Sequence, residues 1–215
     1  MANLCTQNLE EINFFKSKEN PKAKPIKGLI SFARNIDTSF EEVAKGRYPS
    51  NTELCAKIDS FAKAYLQTKL ERGLADYDDL LVYWLQVLEN NPEAANYYQQ
   101  RFSHVLVDEY QDVNSLQARI VDKIASNHQV MAVGDDAQCI YTWRGADLDQ
   151  IMSFPDRHPG TKIFKIETNY RSSPEILKLA NGILESRAIE TSYSKELKPS
   201  RPHQDLPVLV PTMDT

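Results

Sequence analysis

Long apolar runs are missing from this sequence of 215 residues. The longest, Leu80 to Leu85, is about a third of the ~18 residues that suggest a membrane-spanning helix. The N-terminus lacks the basic start and the apolar stretch of a secretory signal peptide. Cysteine is scarce too: Cys5, Cys55 and Cys139 are odd in number and far apart, so no disulfide framework is indicated. We expect a cytoplasmic protein without a membrane partner.

Positive charge is also in short supply. Lys and Arg number 25 against 30 Asp and Glu, which gives a net charge of −5. A module that binds nucleic-acid phosphates by itself is usually basic, so any contact with nucleic acid must be local or shared with other protein. The four histidines and three cysteines lack the spacing of zinc ligands, so no zinc site is expected.

The first hundred residues carry helical patterns. Ser50 to Glu53 is a capping-box pattern that predicts a helix from Ser50 onward, and Gly73 is placed to end it. A second helix is predicted to open at Tyr77, and Pro92 suits the first position of a third. Residues 1–100 are therefore predicted to be mainly helical.

Residues 101–186 alternate short apolar runs with helical stripes. We predict strands at 105–107, 130–133 and 162–166, and helices over 116–124 and from Ser173 onward. Strands that alternate with helices are typical of an α/β fold with a parallel sheet. Residues 187–215 are polar and proline-rich, which indicates a linker or the start of a further domain.

Two carboxylates, Asp108 and Glu109, directly follow the first predicted strand. In an open α/β sheet, ligands bind beyond the carboxyl ends of the strands. Asp108 can hold Mg²⁺ there, and Glu109 can orient and deprotonate an attacking water. A solvated acidic turn after a buried strand is the alternative interpretation.

Residues 133–146 follow the second predicted strand. Gln138 can hydrogen-bond a phosphate or the attacking water. Tyr141, Trp143 and Arg144 combine aromatic faces with a cation, a set that suits stacking on single-stranded bases. The alternative is that the two aromatic residues are core residues of a loop.

A third segment, residues 167–173, leads from a predicted strand into a helix. Tyr170 can stack on a base, and Arg171 can stabilise the charge on a transferring phosphoryl group. The alternative is a surface arginine paired with an acid, a contact usually worth under ~1 kcal/mol.

The three segments occur in order, each at a predicted strand end, about 25–35 residues apart. They resemble the UvrD/Rep/PcrA family of superfamily-one DNA helicases. Motif II of that family is matched by Asp-Glu-Tyr-Gln-Asp at 108–112, motif III by residues 134–146 and motif IV by Asn-Tyr-Arg-Ser at 169–172. The helix that opens at Tyr77 is also similar to the family, and the resemblance is close over residues 74–186.

The resemblance implies an ATP-dependent helicase that translocates on single-stranded DNA and unwinds duplex at junctions, with ATP and Mg²⁺ as cofactors. It implies that Asp108 coordinates Mg²⁺ and that Glu109 is the catalytic base. Gln138 would sense the γ-phosphate and couple it to DNA. Tyr170 would stack on adenine, and Arg171 would contact the γ-phosphate.

For DNA, the resemblance places Tyr141, Trp143 and Arg144 near the single strand, with Trp143 the base-stacking residue. Cys139 stands where the family often has Ser, and Ala137 replaces a frequent acid or Gln. Neither difference is expected to alter the chemistry.

One feature of such a helicase is absent. None of the seven glycines is followed by lysine, so no phosphate-binding loop of the form Gly-x-x-x-x-Gly-Lys-Ser/Thr occurs. The resemblance therefore implies a partial RecA-like (P-loop NTPase type) parallel sheet. Residues 1–100 would be mainly a helical insertion, 101–186 the C-terminal part of the first motor domain with motifs II, III and IV, and 187–215 a linker or the start of the second motor domain.

Without that loop we expect no ATPase activity from the chain alone, and we expect its partners to include the missing parts of the same helicase. A core that lacks its first strand is also expected to expose apolar surface and to favour self-association.

Two other hypotheses stay open. The chain can be a naturally truncated, non-catalytic module that binds DNA or a helicase partner. Its candidate phosphate contacts form a basic cluster, Lys16, Lys18, Lys22, Lys24, Lys27 and Arg34, whose alternative reading is a solvated arm. A nuclease-fused recombination helicase is the third hypothesis.

Overall fold

The structure, a computed structural model, describes residues 14–18, 20–125, 129–140, 145–186, 193, 195–208 and 210. The chain divides into two compact units, residues 1–153 and 154–215. No helix in the described part of the chain is long and apolar enough to cross a membrane.

Helices dominate the first unit up to residue 101. They are α1 (Ala23–Asn35), α2 (Phe40–Arg47), α3 (Thr52–Glu71), α4 (Tyr77–Asn90) and α5 (Pro92–Arg101). Helix α5 starts at Pro92 as predicted, because proline has no N–H to leave unpaired in a first turn.

The predicted cap of α3 is wrong by one residue. Asn51, rather than Ser50, is the N-cap, and its side chain accepts a hydrogen bond from the N–H of Leu54 at 2.9 Å. Both residue types are good caps, and the asparagine lies in the position from which its oxygen reaches an unpaired first-turn N–H. The helix ends at Glu71, and Gly73 beyond it has the positive φ of a helix terminator.

Helices α1 to α3 surround one apolar core. Its buried members are Phe14, Ile26, Ile30, Ala44, Leu54, Cys55, Ile58, Phe61, Ala62 and Tyr65. The members from α3 recur every three or four residues, so they form one face of the helix. Their burial holds the three helices together.

The α/β part of the first unit follows α5. It comprises β1 (His104–Val107), a short 3₁₀ turn (Tyr110–Asp112), α6 (Ser115–Ile124), β2 (Gln129–Ala132), a second 3₁₀ turn (Asp136–Gln138) and α7 (Leu148–Met152). Strands β1 and β2 pair in parallel, with Val105 opposite Val130 and Val107 opposite Ala132. Leu85 and Leu88 of α4 pack with Leu116 and Ile120 of α6 in a second apolar cluster. A mixed fold of helices and a parallel sheet is thus confirmed.

The second unit is smaller. It contains α8 (Phe154–Arg157), β3 (Thr168–Asn169), α9 (Pro174–Glu185) and β4 (Lys198–Pro199). Strands β3 and β4 pair in parallel. The predicted strand at 162–166 is wrong: these residues form no strand, and Phe164 and Ile166 are exposed. The paired stretch begins only at Thr168, where β3 meets β4, and a strand is defined by such pairing.

Candidate functional site

The acidic segment lies at the carboxyl end of β1. Asp108 and Glu109 directly follow the strand, and both side chains are exposed. Glu109 has φ 52° and ψ 42°, the left-handed region. A non-glycine residue held there costs about 1–3 kcal/mol, and such residues cluster at functional sites. The left-handed backbone at Glu109 departs from the strand conformation directly after β1.

Backbone hydrogen bonds fix this turn against the next strand. The N–H of Val133 donates to the carbonyl of Val107 at 2.8 Å, and the N–H of Tyr110 donates to the carbonyl of Val133 at 2.9 Å. The chain leaving β2 therefore runs beside the chain leaving β1. This pairing brings the two sequence segments that were predicted to carry chemistry to one edge of the sheet.

A buried glutamine joins the two segments. Gln111 is 2% exposed. Its Nε2 donates to Oε2 of Glu109 at 2.7 Å, and its Oε1 accepts from the N–H of Asp135 at 2.9 Å. Sequence reasoning assigned no role to this residue. Its only signal was a polar side chain inside the segment that follows a buried strand.

Gly134 makes room for that contact. A Cβ at this position would lie 2.8 Å from both Oε1 of Gln111 and Cδ1 of Ile151, closer than such contacts allow. Only a residue without a side chain lets the two segments approach this closely.

Gln138 ends the second 3₁₀ turn, and its side chain is exposed. Its Nε2 donates to Oδ2 of Asp135 at 2.8 Å, while Oδ1 of Asp135 accepts from the N–H of Ala137 at 3.0 Å. Asp135 therefore orients the glutamine predicted to sense a phosphate. The oxygen of the Gln138 amide has no partner among the described residues and can accept a hydrogen bond from a bound group.

The neighbouring thiol is not suited to nucleophilic attack. Burial raises the pKa of Cys139, and the negative charges of Asp112 and Asp147 raise it further. The thiol therefore stays protonated near neutral pH, and a protonated thiol is a poor nucleophile.

The predicted DNA-contact residues Tyr141, Trp143 and Arg144 lie outside the described residues. Of the residues that follow them, Gly145 has φ 87°, and Ala146 forms an antiparallel bridge with Asn114. Asn114 is the N-cap of α6, directly after the acidic segment.

The third predicted segment belongs to the second unit. Asn169 Oδ1 accepts hydrogen bonds from the N–H groups of Arg171 (2.9 Å) and Ser172 (2.8 Å), which shapes a tight turn. Tyr170 on this turn is 75% exposed. Both Tyr170 and Arg171 are thus exposed to solvent, as ligand-binding side chains would be.

A buried ionic cluster, which we call the α4 clasp, was not foreseen. It consists of Arg34, Lys69, Asp76 and Asp79. Lys69 Nζ lies 2.6 Å from Asp79 Oδ2 and 2.8 Å from Asp76 Oδ2, and Arg34 Nη1 lies 2.7 Å from Asp79 Oδ1. Since α1 supplies Arg34, α3 supplies Lys69 and the start of α4 supplies the two acids, the clasp joins three helices.

The clasp corrects one prediction about the basic cluster of the N-terminal region. Arg34, proposed as a phosphate contact, is committed to Asp79 and only 10% exposed. Lys22 donates to the carbonyls of Phe15 and Ser17. All five lysines of that cluster are exposed: Lys16, Lys18, Lys22, Lys24 and Lys27.

Comparisons with known proteins agree with these observations. The UvrD/REP helicase N-terminal domain family model matches residues 2–159. The ATP-dependent DNA helicase PcrA of Bacillus subtilis (strain 168) is 36% identical over 185 residues, 84% of this chain and 24% of the relative. PcrA of Staphylococcus aureus (strain Mu50) is 40% identical over 163 residues, 75% of this chain and 22% of the relative.

DNA helicase II of Salmonella typhimurium (strain LT2) is 39% identical over 125 residues, which are 58% of this chain and 17% of the relative. The chain thus spans less than a quarter of the length of these curated relatives.

Proposed function

The chain belongs to the UvrD/REP helicase family, and from that premise we propose that it is a segment of an ATP-dependent helicase that translocates on single-stranded DNA. The observation that carries the proposal is the edge of the β1–β2 sheet, where an exposed Asp-Glu pair and Gln138 share one hydrogen-bonded network. Exposed acids and a glutamine at the carboxyl ends of parallel strands suit nucleotide hydrolysis.

Each part of the chain has a place in this proposal. Residues 1–100 are a helical insertion, residues 101–186 are the C-terminal part of a RecA-like motor domain, and residues 187–215 are a linker or the start of the second motor domain. The parallel pairing of β1 with β2 and the apolar core of α1 to α3 support the division.

Asp108 is the residue that would hold Mg²⁺. Its carboxylate is exposed, Oδ1 accepts the N–H of Glu109 at 2.9 Å, and the described residues leave Oδ2 without a hydrogen bond. Mg²⁺ is commonly bound by one or two carboxylates together with water and substrate phosphates, and it neutralises charge on those phosphates. The donor set at this position fits the ion.

Glu109 takes the proton of the attacking water in this proposal. The hydrogen bond from Gln111 occupies Oε2 and fixes the carboxylate, while Oε1 has no partner among the described residues. A carboxylate held in this way can orient a water and accept its proton. Gln138 and Arg171 contact the γ-phosphate, and Tyr170 stacks on adenine.

The DNA strand is assigned to Tyr141, Trp143 and Arg144. Aromatic faces bind successive bases without sequence preference, and a nearby arginine adds a cation to the contact. In this proposal the chain by itself has no ATPase activity, because its sequence has no Gly-Lys pair to build a phosphate loop.

The first experiment measures Mg²⁺-dependent ATP hydrolysis by this chain, with and without oligo-dT. We expect no turnover. DNA-stimulated turnover that Glu109→Gln abolishes would contradict the loop argument. Binding of oligo-dT without turnover would favour the alternative of a non-catalytic DNA-binding module, with the exposed lysines of the basic cluster as its phosphate contacts.

The second experiment supplies the missing parts. Residues 2–159 replace the matching segment of Bacillus subtilis PcrA, and DNA-stimulated ATP hydrolysis is measured. We expect Glu109→Gln to lower kcat at least about a hundredfold, the lower range for a lost general base. Glu93→Gln, the same change at an exposed position of α5, is the control and should leave kcat unchanged. An equal effect of both substitutions would sink the assignment of Glu109.

A further inference from the structure

A later segment of the second unit, residues 196–204, lies against the turn that carries Tyr170 and Arg171, and we call it the strap. We propose that Glu175 is a positioning residue, whose carboxylate fastens the strap to this turn and thereby fixes the backbone that presents Tyr170 and Arg171. The inference rests on the proposed function, which gives these two side chains their contacts with nucleotide. Glu175 itself touches no nucleotide in this scheme.

The placement of Tyr170 and Arg171 depends on the backbone of their turn. Tyr170 is 75% exposed and Arg171 is exposed as well, so packing does not hold either side chain. The Asn169 side chain supplies one set of hydrogen bonds, to the N–H groups of Arg171 and Ser172. The carbonyl groups of Asn169 and Arg171 instead accept hydrogen bonds from the strap.

The first half of the strap is held by strand pairing and by α9. Strands β3 and β4 pair in parallel, and the N–H of Ser200 donates to the carbonyl of Asn169 at 3.0 Å. Asn181 of α9 binds both the N–H and the carbonyl of Leu197, at 3.1 and 3.0 Å. These contacts attach residues 197–200 beside the start of the turn.

The second half of the strap is held by side chains. Arg201 Nη1 donates to the carbonyl of Arg171 at 2.7 Å. Beyond it, the N–H of Gln204 donates to Oε2 of Glu175 at 3.1 Å, and Nδ1 of His203 lies 2.6 Å from Oε1 of Glu175. The strap thus uses both carboxylate oxygens of Glu175.

The charge of Glu175 suits these contacts. The hydrogen bond from His203, followed by that from the N–H of Gln204, lowers the pKa of Glu175 to about 2. An ionised carboxylate only accepts hydrogen bonds, so Nδ1 of His203 must carry a proton. The His203 side chain is 86% exposed, whereas that of Glu175 is 12% exposed. Glu175, rather than packing, therefore holds the imidazole.

Two prolines stiffen the strap between its attachments. Pro199 and Pro202 each fix φ near about −65°, so this segment has few backbone conformations. A stiff segment that is attached at both ends passes the loss of one attachment on to the residues between them. Release of the strap at Glu175 should therefore loosen Ser200 and, with it, the turn.

Amide hydrogen exchange in NMR spectra of the full chain at pH 8 tests the proposal. The reporters are the N–H groups of Ser200 and Arg171, which donate to Asn169 rather than to Glu175. We expect Glu175→Ala to speed both at least about fivefold. Glu185→Ala, at an exposed position of the same helix, is the control and should change neither. Unchanged exchange at Arg171 would overturn the proposal, because the turn would then not depend on Glu175.

Two conservative variants separate this role from that of a negative charge at the start of α9. Glu175→Gln loses the charge, but its amide can accept from Gln204 and donate to a neutral His203. Glu175→Asp keeps the charge, which a helix N-terminus favours, but is too short to reach both partners. We expect Glu175→Gln to keep the exchange rates within about twofold of the native values and Glu175→Asp to resemble Glu175→Ala. The opposite order would overturn the positioning role.

The His203 imidazole gives a spectroscopic signature. Nδ1 carries a proton in the native chain, whereas in Glu175→Gln a neutral imidazole must accept at Nδ1 and keep its proton on Nε2. Nitrogen chemical shifts of the ring distinguish these forms, and the same form in both proteins would contradict the contact. If Glu175→Ala unfolds the chain, His203→Ala removes only an exposed side chain and should speed exchange at both reporters at least about threefold. No change in that variant would equally overturn the proposal.

ATP with Mg²⁺ separates this inference from the proposed function. The ring resonances of Tyr170 are followed during the titration, and we expect Glu175→Ala to need at least about threefold more ATP for half-saturation, since its turn is less preorganised. Faster exchange in Glu175→Ala without any response of Tyr170 to ATP supports the strap and contradicts the nucleotide contact. Equal responses of the native chain and Glu175→Ala, with unchanged exchange, support the nucleotide contact and contradict the positioning role.

Discussion

Glu109 combines a chemical demand with a conformational one. Its carboxylate is fixed by Gln111, while its backbone stands in the left-handed region, where a Cβ approaches the following carbonyl. A glycine would relieve that strain, but it would remove the carboxylate. Strained non-glycine residues of this kind cluster at functional sites, and an acid in a strained turn fits the role proposed for Glu109.

The strain can be measured by comparing two truncations. Both Glu109→Ala and Glu109→Gly remove the carboxylate, but only glycine adopts φ 52° without steric strain. We expect Glu109→Gly to be more stable than Glu109→Ala by about 1 kcal/mol in urea unfolding. At Gln86 in the exposed interior of α4 the same pair of substitutions should show the opposite order, because glycine costs about 1 kcal/mol relative to alanine in a helix. The same order at both sites would rule out backbone strain at Glu109.

The α4 clasp operates at the scale of elements. Burial by itself raises the pKa of Asp79, but hydrogen bonds from Lys69, from the N–H of Asp76 and from Arg34 outweigh it and lower the pKa to about 2. Asp76 and Asp79 also form the capping box of α4. One pair of acids thus starts α4 and attaches it to α1 and α3. The clasp thereby joins the helical core to the helix that packs against α6.

Removal of one charge from the clasp should destabilise the first unit strongly. Asp79→Asn leaves the buried Lys69 with fewer partners, and breaking a buried pair costs about 3–5 kcal/mol. Urea unfolding measures the loss. Asp59→Asn, which breaks the more exposed pair with Lys63 on α3, is the matched control and should show no measurable change. If the two variants lose the same stability, the clasp is not what joins these helices.

The clasp also predicts a dependence on pH. The pKa of Asp79 in the folded chain lies below its usual 3.8, at about 2. The folded state therefore binds fewer protons than the unfolded state between these values, and stability falls as the pH falls. The contribution is fully present above about pH 4 and amounts to about 2 kcal/mol. We expect the stability difference between the native chain and Asp79→Asn to shrink from pH 5 to pH 2, and a constant difference would contradict the lowered pKa.

At the scale of the whole molecule, the β1–β2 sheet has one face open to solvent. Leu106 and Met131 are opposite each other in the register and are 73% and 55% exposed. Two neighbouring apolar side chains on a strand pair form an exposed apolar patch, which favours association with another surface. This exposed face agrees with the expectation that an incomplete core exposes apolar surface. Self-association of the chain remains a prediction.

Sedimentation velocity over a range of protein concentrations tests that prediction. We expect the native chain to associate and the double variant Leu106→Thr/Met131→Thr to associate at least about tenfold more weakly. The reason is that burial of each of the two apolar side chains contributes roughly 1 kcal/mol or more to the free energy of association. Leu70→Gln/Leu80→Gln, at two exposed leucines of α3 and α4, is the control and should leave association unchanged. A monomeric native chain, or equal effects of both doubles, would dismiss the sheet face as the contact.

Local patterns were enough to predict much of this molecule. Helix α5 begins at Pro92, and β1 and β2 lie within one residue of the predicted strands, because caps, proline and short apolar runs act over a few residues. Family membership also followed from residues 108–112 and their spacing to the later segments. The roles of Asp108, Glu109, Gln138, Tyr170 and Arg171 remain predictions.

What the sequence by itself determined is therefore local or compositional: which side chains follow each strand, where helices start, and the missing Gly-Lys pair. Only the tertiary structure decided that Gln111 joins Glu109 to Asp135, that Arg34 turns inward to Asp79, and that residues 162–166 form no strand. Each of these depends on a partner distant in sequence. The sequence shows which buried polar or charged groups need a partner. The packing of helices and strands around such a group determines which partner it contacts.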